Sequence, residues 1–139
     1  MTPFVLDASV ALSWFFDDEF SPYSNAIAEI MPQSQAVVPI VWPLEMANGF
    51  LTAFRRGRLP ETKAPALIGA LDRLRVDIDR GIALEFLTQA TLTIGIAHRL
   101  SAYDASYLEL AMRRAIPIAT QDERLLRAAS AAGIEILQP

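Results

Sequence analysis

The sequence predicts an α/β fold with a parallel β-sheet, and two patterns indicate it. Short apolar runs typical of strands alternate with longer segments of helical periodicity. Turn and cap residues separate these segments, and no repeat or linker-like Gly/Ser run interrupts them. A chain of 139 residues is expected to form one domain, residues 1–139.

The strands are predicted from apolar runs that end at turn or polar residues. The predicted strands are Phe4 to Leu6, Ala36 to Pro39, Ile116 to Ala119 and Ile134 to Leu137. One further stretch, Val76 to Asp79, is short and partly acidic and is a candidate edge strand.

Helix starts and stops are marked by local signals. Ser21 and Pro22 supply an N-cap and a first-turn proline, while Gly57 and Gly133 are stop signals. The predicted helices run from about Val10, from Ser21, from Pro43 to about Arg56, on both sides of the 76–79 stretch, from Ser101 to about Arg114, and from Asp122 to Ala132.

Acidic residues at the starts of predicted helices are the candidate functional residues: Asp7, Glu45, Asp104 and Asp122. Each of them alone has an ordinary explanation as a cap or a first-turn anion. In parallel sheets, however, ligands bind beyond the carboxyl ends of strands, where Asp7 and Asp122 fall. Carboxylates are the ligands that Mg²⁺ and Mn²⁺ prefer. We therefore hypothesise that the four acids converge on one or two divalent ions.

The helix predicted from Pro43 has a polar face that begins at one of these acids. Helical spacing places on this face Glu45, Asn48, Gly49, Thr52 and Arg56. The apolar positions expected to face the core are Met46, Ala47, Phe50, Leu51 and Phe54. In the helix predicted from Ser101, Leu108, Ala111 and Met112 are expected to supply the buried side.

The net charge of −4 is unfavourable for binding a polyanionic substrate, but the four acids account for it. Without them, twelve acidic residues balance the twelve Lys and Arg. The cluster of Arg55, Arg56 and Arg58 is a candidate for contacts with RNA phosphates. The alternative is a set of solvated charges at a helix end.

Composition restricts the cellular setting and suggests self-association. The chain has no cysteine, which excludes a disulfide scaffold and a thiolate metal site. No apolar run is long enough to span a membrane and no signal peptide is recognisable, so a cytoplasmic protein is expected. The hydrophobic fraction of 53% suggests apolar surface for a partner chain. Core burial is the alternative for the candidate residues Trp14, Phe15, Phe16, Trp42 and Phe54.

Four segments of the sequence resemble PIN-domain ribonucleases, and among them the VapC toxins of bacterial toxin–antitoxin pairs. These segments are Phe4 to Val10, Pro43 to Asn48, Leu100 to Leu108 and Ile118 to Asp122. Their order and spacing span almost the whole chain, and the four together are a specific signal. Residues 60–98 carry no part of the match.

The resemblance implies a three-layer α/β/α fold with a central parallel sheet and a metal site at the four acids. Thr120 and Ser9 would be accessory hydroxyls, and Asn48 is a candidate to brace Glu45. The implied activity is Mg²⁺- or Mn²⁺-dependent endonucleolytic cleavage of RNA by a metal-activated water, which leaves a 5′-phosphate and a 3′-hydroxyl. The implied partners are a cognate VapB-like antitoxin, whose C-terminal segment would cover the acidic groove, and a second copy in a homodimer or a higher assembly.

Two other classes of function compete with this interpretation. An inactive PIN-like interaction module is one, although the complete set of acids argues against it. The other is an aspartyl-phosphate phosphotransfer domain, which also places an Asp after its first strand. Asp7-Ala8-Ser9 lacks the second acid of a haloacid-dehalogenase-like motif. A receiver domain needs an active-site lysine late in the chain, whereas the only lysine of this chain is Lys63.

His98 is expected to lie near a helix end without a catalytic role.

Overall fold

A central sheet of four parallel strands organises the computed structural model, which describes residues 2–139. Helices cover both faces of this sheet, so the predicted three-layer α/β/α fold is confirmed. The strand order is β3-β2-β1-β4. The strands are β1 (Thr2–Leu6), β2 (Ser34–Val38), β3 (Val76–Ile78) and β4 (Ile118–Ala119).

Strand β1 lies at the centre of the sheet and is buried on both faces. Its apolar run, Phe4, Val5 and Leu6, is at most 1% exposed, as expected for a parallel strand covered by helices. Leu6 pairs with Ala119 of β4. Because the pairing is parallel, the residues that follow these two strands emerge at the same edge of the sheet.

The helices begin and end close to the predicted positions. Ser21 forms a capping box with Ser24, and Gly57 and Gly133 adopt positive φ values of 70° and 75° just beyond helix ends. No helix in residues 2–139 has the length and apolar character needed to cross a membrane. The helices are α1 (Ala8–Ser13), α2 (Pro22–Ile30), α3 (Trp42–Arg55), α4 (Ala64–Asp72), α5 (Leu84–His98), α6 (Ala102–Arg114) and α7 (Glu123–Ala131).

The last predicted strand, Ile134 to Leu137, is not formed. Only one bridge is present there, between Ile118 and Ile136. The strand beside it, β4, is two residues long instead of the four predicted from Ile116 to Ala119.

The predicted burial of α3 and α6 was partly wrong. In α3 the buried side chains are Trp42, Met46, Phe50 and Ala53, whereas Ala47 and Leu51 are exposed. The buried stripe is therefore narrower than the apolar stripe in the sequence. Met112 of α6 is likewise 43% exposed.

The aromatic residues considered for partner contacts lie mostly in the core. Phe16 and Trp42 are buried, and Trp14, Phe15 and Phe54 are partly buried against the core. The most exposed large apolar side chains lie elsewhere. They include Leu44, Leu84, Leu92, Ile96 and Tyr103, each more than 60% exposed.

Helices α1 and α3 approach closely at Gly49. A Cβ atom at this position would lie 2.6 Å from Cδ2 of Leu12, closer than atoms pack in practice. A larger residue here would require the Leu12 side chain to move. This contact matters for function because both helices contribute side chains to the cavity described below.

Candidate active site

The four predicted acids line one cavity of about 590 Å³ at the carboxyl-terminal edge of the sheet. We call it the acidic cavity. Asp7 follows β1, Glu45 and Asp104 lie in the first turns of α3 and α6, and Asp122 precedes α7. The sequence therefore identified residues up to 115 positions apart that the fold brings to one place. Ser9, Asn48, Gly49 and Tyr103 also line the cavity.

Asp7 is the most buried of the four acids, with 6% of its surface exposed. The hydroxyls of Ser9 and Thr120 each donate to its Oδ2 atom at 2.7 Å. Burial raises the pKa of Asp7, these hydrogen bonds lower it, and the charge of Asp122 raises it further. Asp7 also accepts a long hydrogen bond from the Ser9 N–H as the cap of α1. Asp7 therefore caps α1 and also lines the acidic cavity.

Glu45 is held by a tyrosine that sequence reasoning did not assign to the site. The hydroxyl of Tyr107, a fully buried residue of α6, donates to Oε1 of Glu45 at 2.6 Å and accepts from the N–H of Ala8. Burial raises the pKa of Tyr107, and Glu45 raises it further, which keeps the phenol protonated. Burial also raises the pKa of Glu45, against the hydrogen bond from Tyr107.

Asn48 does not brace Glu45 as predicted. It lines the acidic cavity, but no hydrogen bond joins it to Glu45 among residues 2–139. Tyr107 makes this contact instead. The signal available in the sequence was that Tyr107 follows Asp104 by three residues and thus lies one helical turn further along α6.

Asp104 and Asp122 complete the acidic cavity from two helix starts. Asp122 caps α7, where its Oδ1 accepts from the Leu125 N–H at 3.0 Å. Burial raises the pKa of Asp104, and the charges of Asp122 and Asp7 raise it further. Its hydrogen bond with Ser101 and the charge of Arg124 lower it. The pKa of Asp104 therefore reports electrostatic coupling among three of the acids.

The donor set fits a divalent cation that keeps part of its water shell. Within residues 2–139, no Lys or Arg forms an ion pair with any of the four carboxylates. In the same residues, however, no three His, Cys, Asp or Glu side chains lie close enough to ligate one ion together. The acids thus surround a cavity instead of converging on one point, which corrects our expectation. Mg²⁺ commonly binds through one or two carboxylates and several waters, so this arrangement is compatible with it.

A second cavity, of about 600 Å³, adjoins the acidic cavity and contains two of the three predicted cations. The two cavities share Ser9, Leu12, Gly49 and Asp122, and the second is also lined by Thr52, Arg56 and Arg58. The polar face predicted for α3 therefore runs along both cavities.

The predicted cluster of arginines divides into three different environments. Arg58 pairs with Asp18 at 2.7 Å and with Glu19 at 3.5 Å, and it lies over the ring of Phe16. Arg56 is exposed and lines the second cavity. Arg55 is exposed and lines neither cavity. Only Arg56 is thus well placed for a phosphate near the acids.

The family of the chain follows from comparison with known domains. A family model described as the PIN domain matches residues 4–131. This chain belongs to the PIN-domain family. PIN domains are generally nucleases, and they typically use divalent metals. No curated protein matches this PIN domain significantly.

A solved structure supports the fold of this PIN domain. The crystal structure of PAE2754 from Pyrobaculum aerophilum is similar to it, with a TM-score of 0.66. The match covers 91% of this chain and 84% of that chain at 18% sequence identity. At this identity the similarity shows the fold alone, so the resemblance to VapC toxins stays a prediction.

The raised pKa of Asp104 predicts a pH-dependent gain in stability when its charge is removed. Asp104 has a higher pKa in the folded protein than its ordinary value of 3.8, which it has in the unfolded chain. Its contribution to the stability of the fold is therefore fully present below pH 3.8 and is lost as the pH rises through the folded-state pKa. The stability of Asp104→Asn relative to the unmodified protein should therefore increase from pH 4 to pH 7.5. Thermal unfolding in EDTA measures the difference. Asp72→Asn, an exposed aspartate outside the cavity, is the control. A difference that is constant with pH would contradict the electrostatic account.

Proposed function

We propose that this PIN domain is a Mg²⁺- or Mn²⁺-dependent endoribonuclease. The observation that carries the proposal is the set of four carboxylates lining one cavity without an ion-paired Lys or Arg in residues 2–139. Uncompensated carboxylates repel one another and cost stability. A bound divalent cation would offset that cost. The preference for RNA over DNA rests on the resemblance to PIN-domain ribonucleases.

The roles of individual residues follow from their contacts. Asp7, Glu45, Asp104 and Asp122 would hold one or two ions, each bound directly by no more than two carboxylates and otherwise through water. A bound Mg²⁺ or Mn²⁺ would polarise the scissile phosphodiester and lower the pKa of the attacking water. Thr120 and Ser9 donate to the same oxygen of Asp7, so they fix the orientation of that carboxylate. Tyr107 fixes Glu45 in the same way. Arg56 would contact a neighbouring phosphate of the RNA.

We further propose that the protein is the toxin of a toxin–antitoxin pair. An apolar cavity of about 410 Å³ lies beside the acidic cavity and shares Val41, Leu44 and Tyr103 with it. An antitoxin segment with both a cation and apolar side chains would cover the two cavities together.

Expression of the chain should arrest growth, and coexpression of the cognate antitoxin should restore it. Harmless expression of an active enzyme would refute the toxin role.

A homodimer is the proposed assembly, formed through α5. This helix exposes Leu84, Phe86, Leu92 and Ile96, between 59% and 73% each. Before its last residue, His98, its only charged side chain is Glu85.

The double variant Leu92→Glu, Ile96→Glu should be monomeric, whereas the unmodified chain should be dimeric, in masses measured by light scattering. Ile68→Glu, at an apolar site of α4 that is 60% exposed, should leave the dimer intact. Equal masses for all variants would contradict this interface.

RNA cleavage by site variants tests the nuclease proposal. The purified chain should cleave RNA with Mg²⁺ or Mn²⁺ and not in EDTA, and Asp7→Asn or Asp104→Asn should abolish cleavage without unfolding the protein. Tyr107→Phe keeps the ring but loses the hydrogen bond to Glu45, so the rate should fall roughly 10- to 100-fold. Asp72→Asn is the control for charge removal and should cleave normally.

Two results would contradict the nuclease proposal. Cleavage in EDTA, or undiminished cleavage by Asp7→Asn, would exclude the metal site proposed at the acids. Failure of the folded, unmodified chain to cleave any RNA with either metal would instead favour the inactive interaction module.

A further inference from the structure

A fourth cavity, of about 530 Å³, lies between the end of α5 and the side of α7 and is lined by three arginines and a histidine. We call it the basic cavity. Its polar residues are His98, Arg99, Arg124 and Arg127, and its other lining residues are alanines. The proposed roles of the acids and of Arg56 involve none of these four residues.

The arginines of the basic cavity are available to a ligand. Within residues 2–139, none of Arg99, Arg124 and Arg127 forms an ion pair, whereas Arg58, Arg113 and Arg114 each pair with acidic residues. On α7, helical spacing places Arg124 and Arg127 on one face with Ala128 and Ala131. These small side chains leave the guanidinium groups uncovered. The chain therefore forms a concave basic surface despite its net charge of −4.

The basic cavity and the acidic cavity share no lining residue, but both border α7 or its N-cap. This helix begins immediately after Asp122, and Arg124 is close enough to Asp104 to lower the pKa of that carboxyl. Arg127 lies about 7.5 Å further along the helix axis than Asp122, at 1.5 Å per residue. A polyanion with one phosphate at the acids can therefore place its following phosphates at these arginines.

We propose that His98, Arg99, Arg124 and Arg127 bind the phosphate backbone of single-stranded RNA beyond the cleaved bond. This inference rests on the proposed nuclease function. Planar guanidinium groups donate in pairs to phosphate oxygens, and such contacts position a nucleic acid without reading its sequence. The basic cavity thereby determines how the RNA strand lies across the acids.

The backbone conformation at Arg99 allows a variant with a closely matched control. Arg99 ends α5 with a φ of 55°, in the left-handed region that glycine adopts without strain. Arg75, which lies outside the basic cavity, has a φ of 53°. Arg99→Gly and Arg75→Gly therefore remove the same charge from the same backbone conformation. Any difference between them in RNA binding reports the location of the side chain.

RNA binding by two double variants tests the proposal. The test variant is Arg99→Gly with Arg127→Ala, and the control, with the same change of charge, is Arg75→Gly with Arg73→Ala. Arg124 is retained because it acts on Asp104. Fluorescence anisotropy with a labelled 20-nucleotide single-stranded RNA in EDTA gives the affinity at several salt concentrations. Loss of two phosphate contacts should weaken binding roughly 10- to 30-fold at 0.1 M salt and reduce the salt slope by about 1.4. The control should bind like the unmodified chain.

A second measurement separates RNA binding from damage to the acids. Hydrolysis of bis(p-nitrophenyl) phosphate with Mn²⁺ needs no extended strand, so the test variant should retain the rate of the control. Equal RNA affinity and salt slope for the two double variants would overturn the proposal and leave an acidic protein segment as the ligand of these cations. Failure of the nuclease proposal has a different signature, namely no metal-dependent cleavage by the unmodified chain. The binding comparison does not depend on that result.

Discussion

The hydrogen bond from Thr120 to Asp7 joins the ends of two neighbouring strands, and the acidic cavity is built around it. Parallel pairing of Leu6 with Ala119 brings these ends together. A carboxylate as buried as Asp7 is costly unless donors satisfy it, and Thr120 and Ser9 supply those donors. Repulsion from Asp122 acts in the opposite direction. The fold therefore holds several negative charges at one edge of the sheet, at a cost in stability that a cation can relieve.

Helix boundaries and the position of Asp7 were predicted well, because local sequence signals determine them. Ser21, Gly57 and Gly133 mark helix boundaries because caps and positive φ depend on neighbouring residues. The position of Asp7 after a buried strand was also readable, because parallel strands deliver the residues that follow them to one edge. The four acids could thus be grouped from the sequence before any distance was known. Their helix-capping contacts did not exclude a role in the site.

The features that depend on distant residues were not predictable. Tyr107 reaches Glu45 across 62 positions of sequence, and Arg58 reaches Asp18 across 40. The spacing of Tyr107 from Asp104 places it one helical turn further along α6 but does not identify Glu45 as its partner. No local signal pairs Arg58 with Asp18. Burial on α3 was overestimated for the same reason, since an apolar side chain such as Leu51 is buried only where another element covers it. The basic cavity was missed because it combines α7 with the end of α5, in a region that the motifs did not cover.

Binding of Mn²⁺ to the purified protein, measured by electron paramagnetic resonance at pH 7.5, tests the central claim most directly. If the acidic cavity binds the metal, the unmodified chain should bind Mn²⁺ at fixed stoichiometry. Asp7→Asn, Glu45→Gln, Asp104→Asn and Asp122→Asn should each weaken binding, whereas Asp72→Asn should not. Unchanged Mn²⁺ affinity in the four site variants, or no binding by the unmodified chain, would contradict the account.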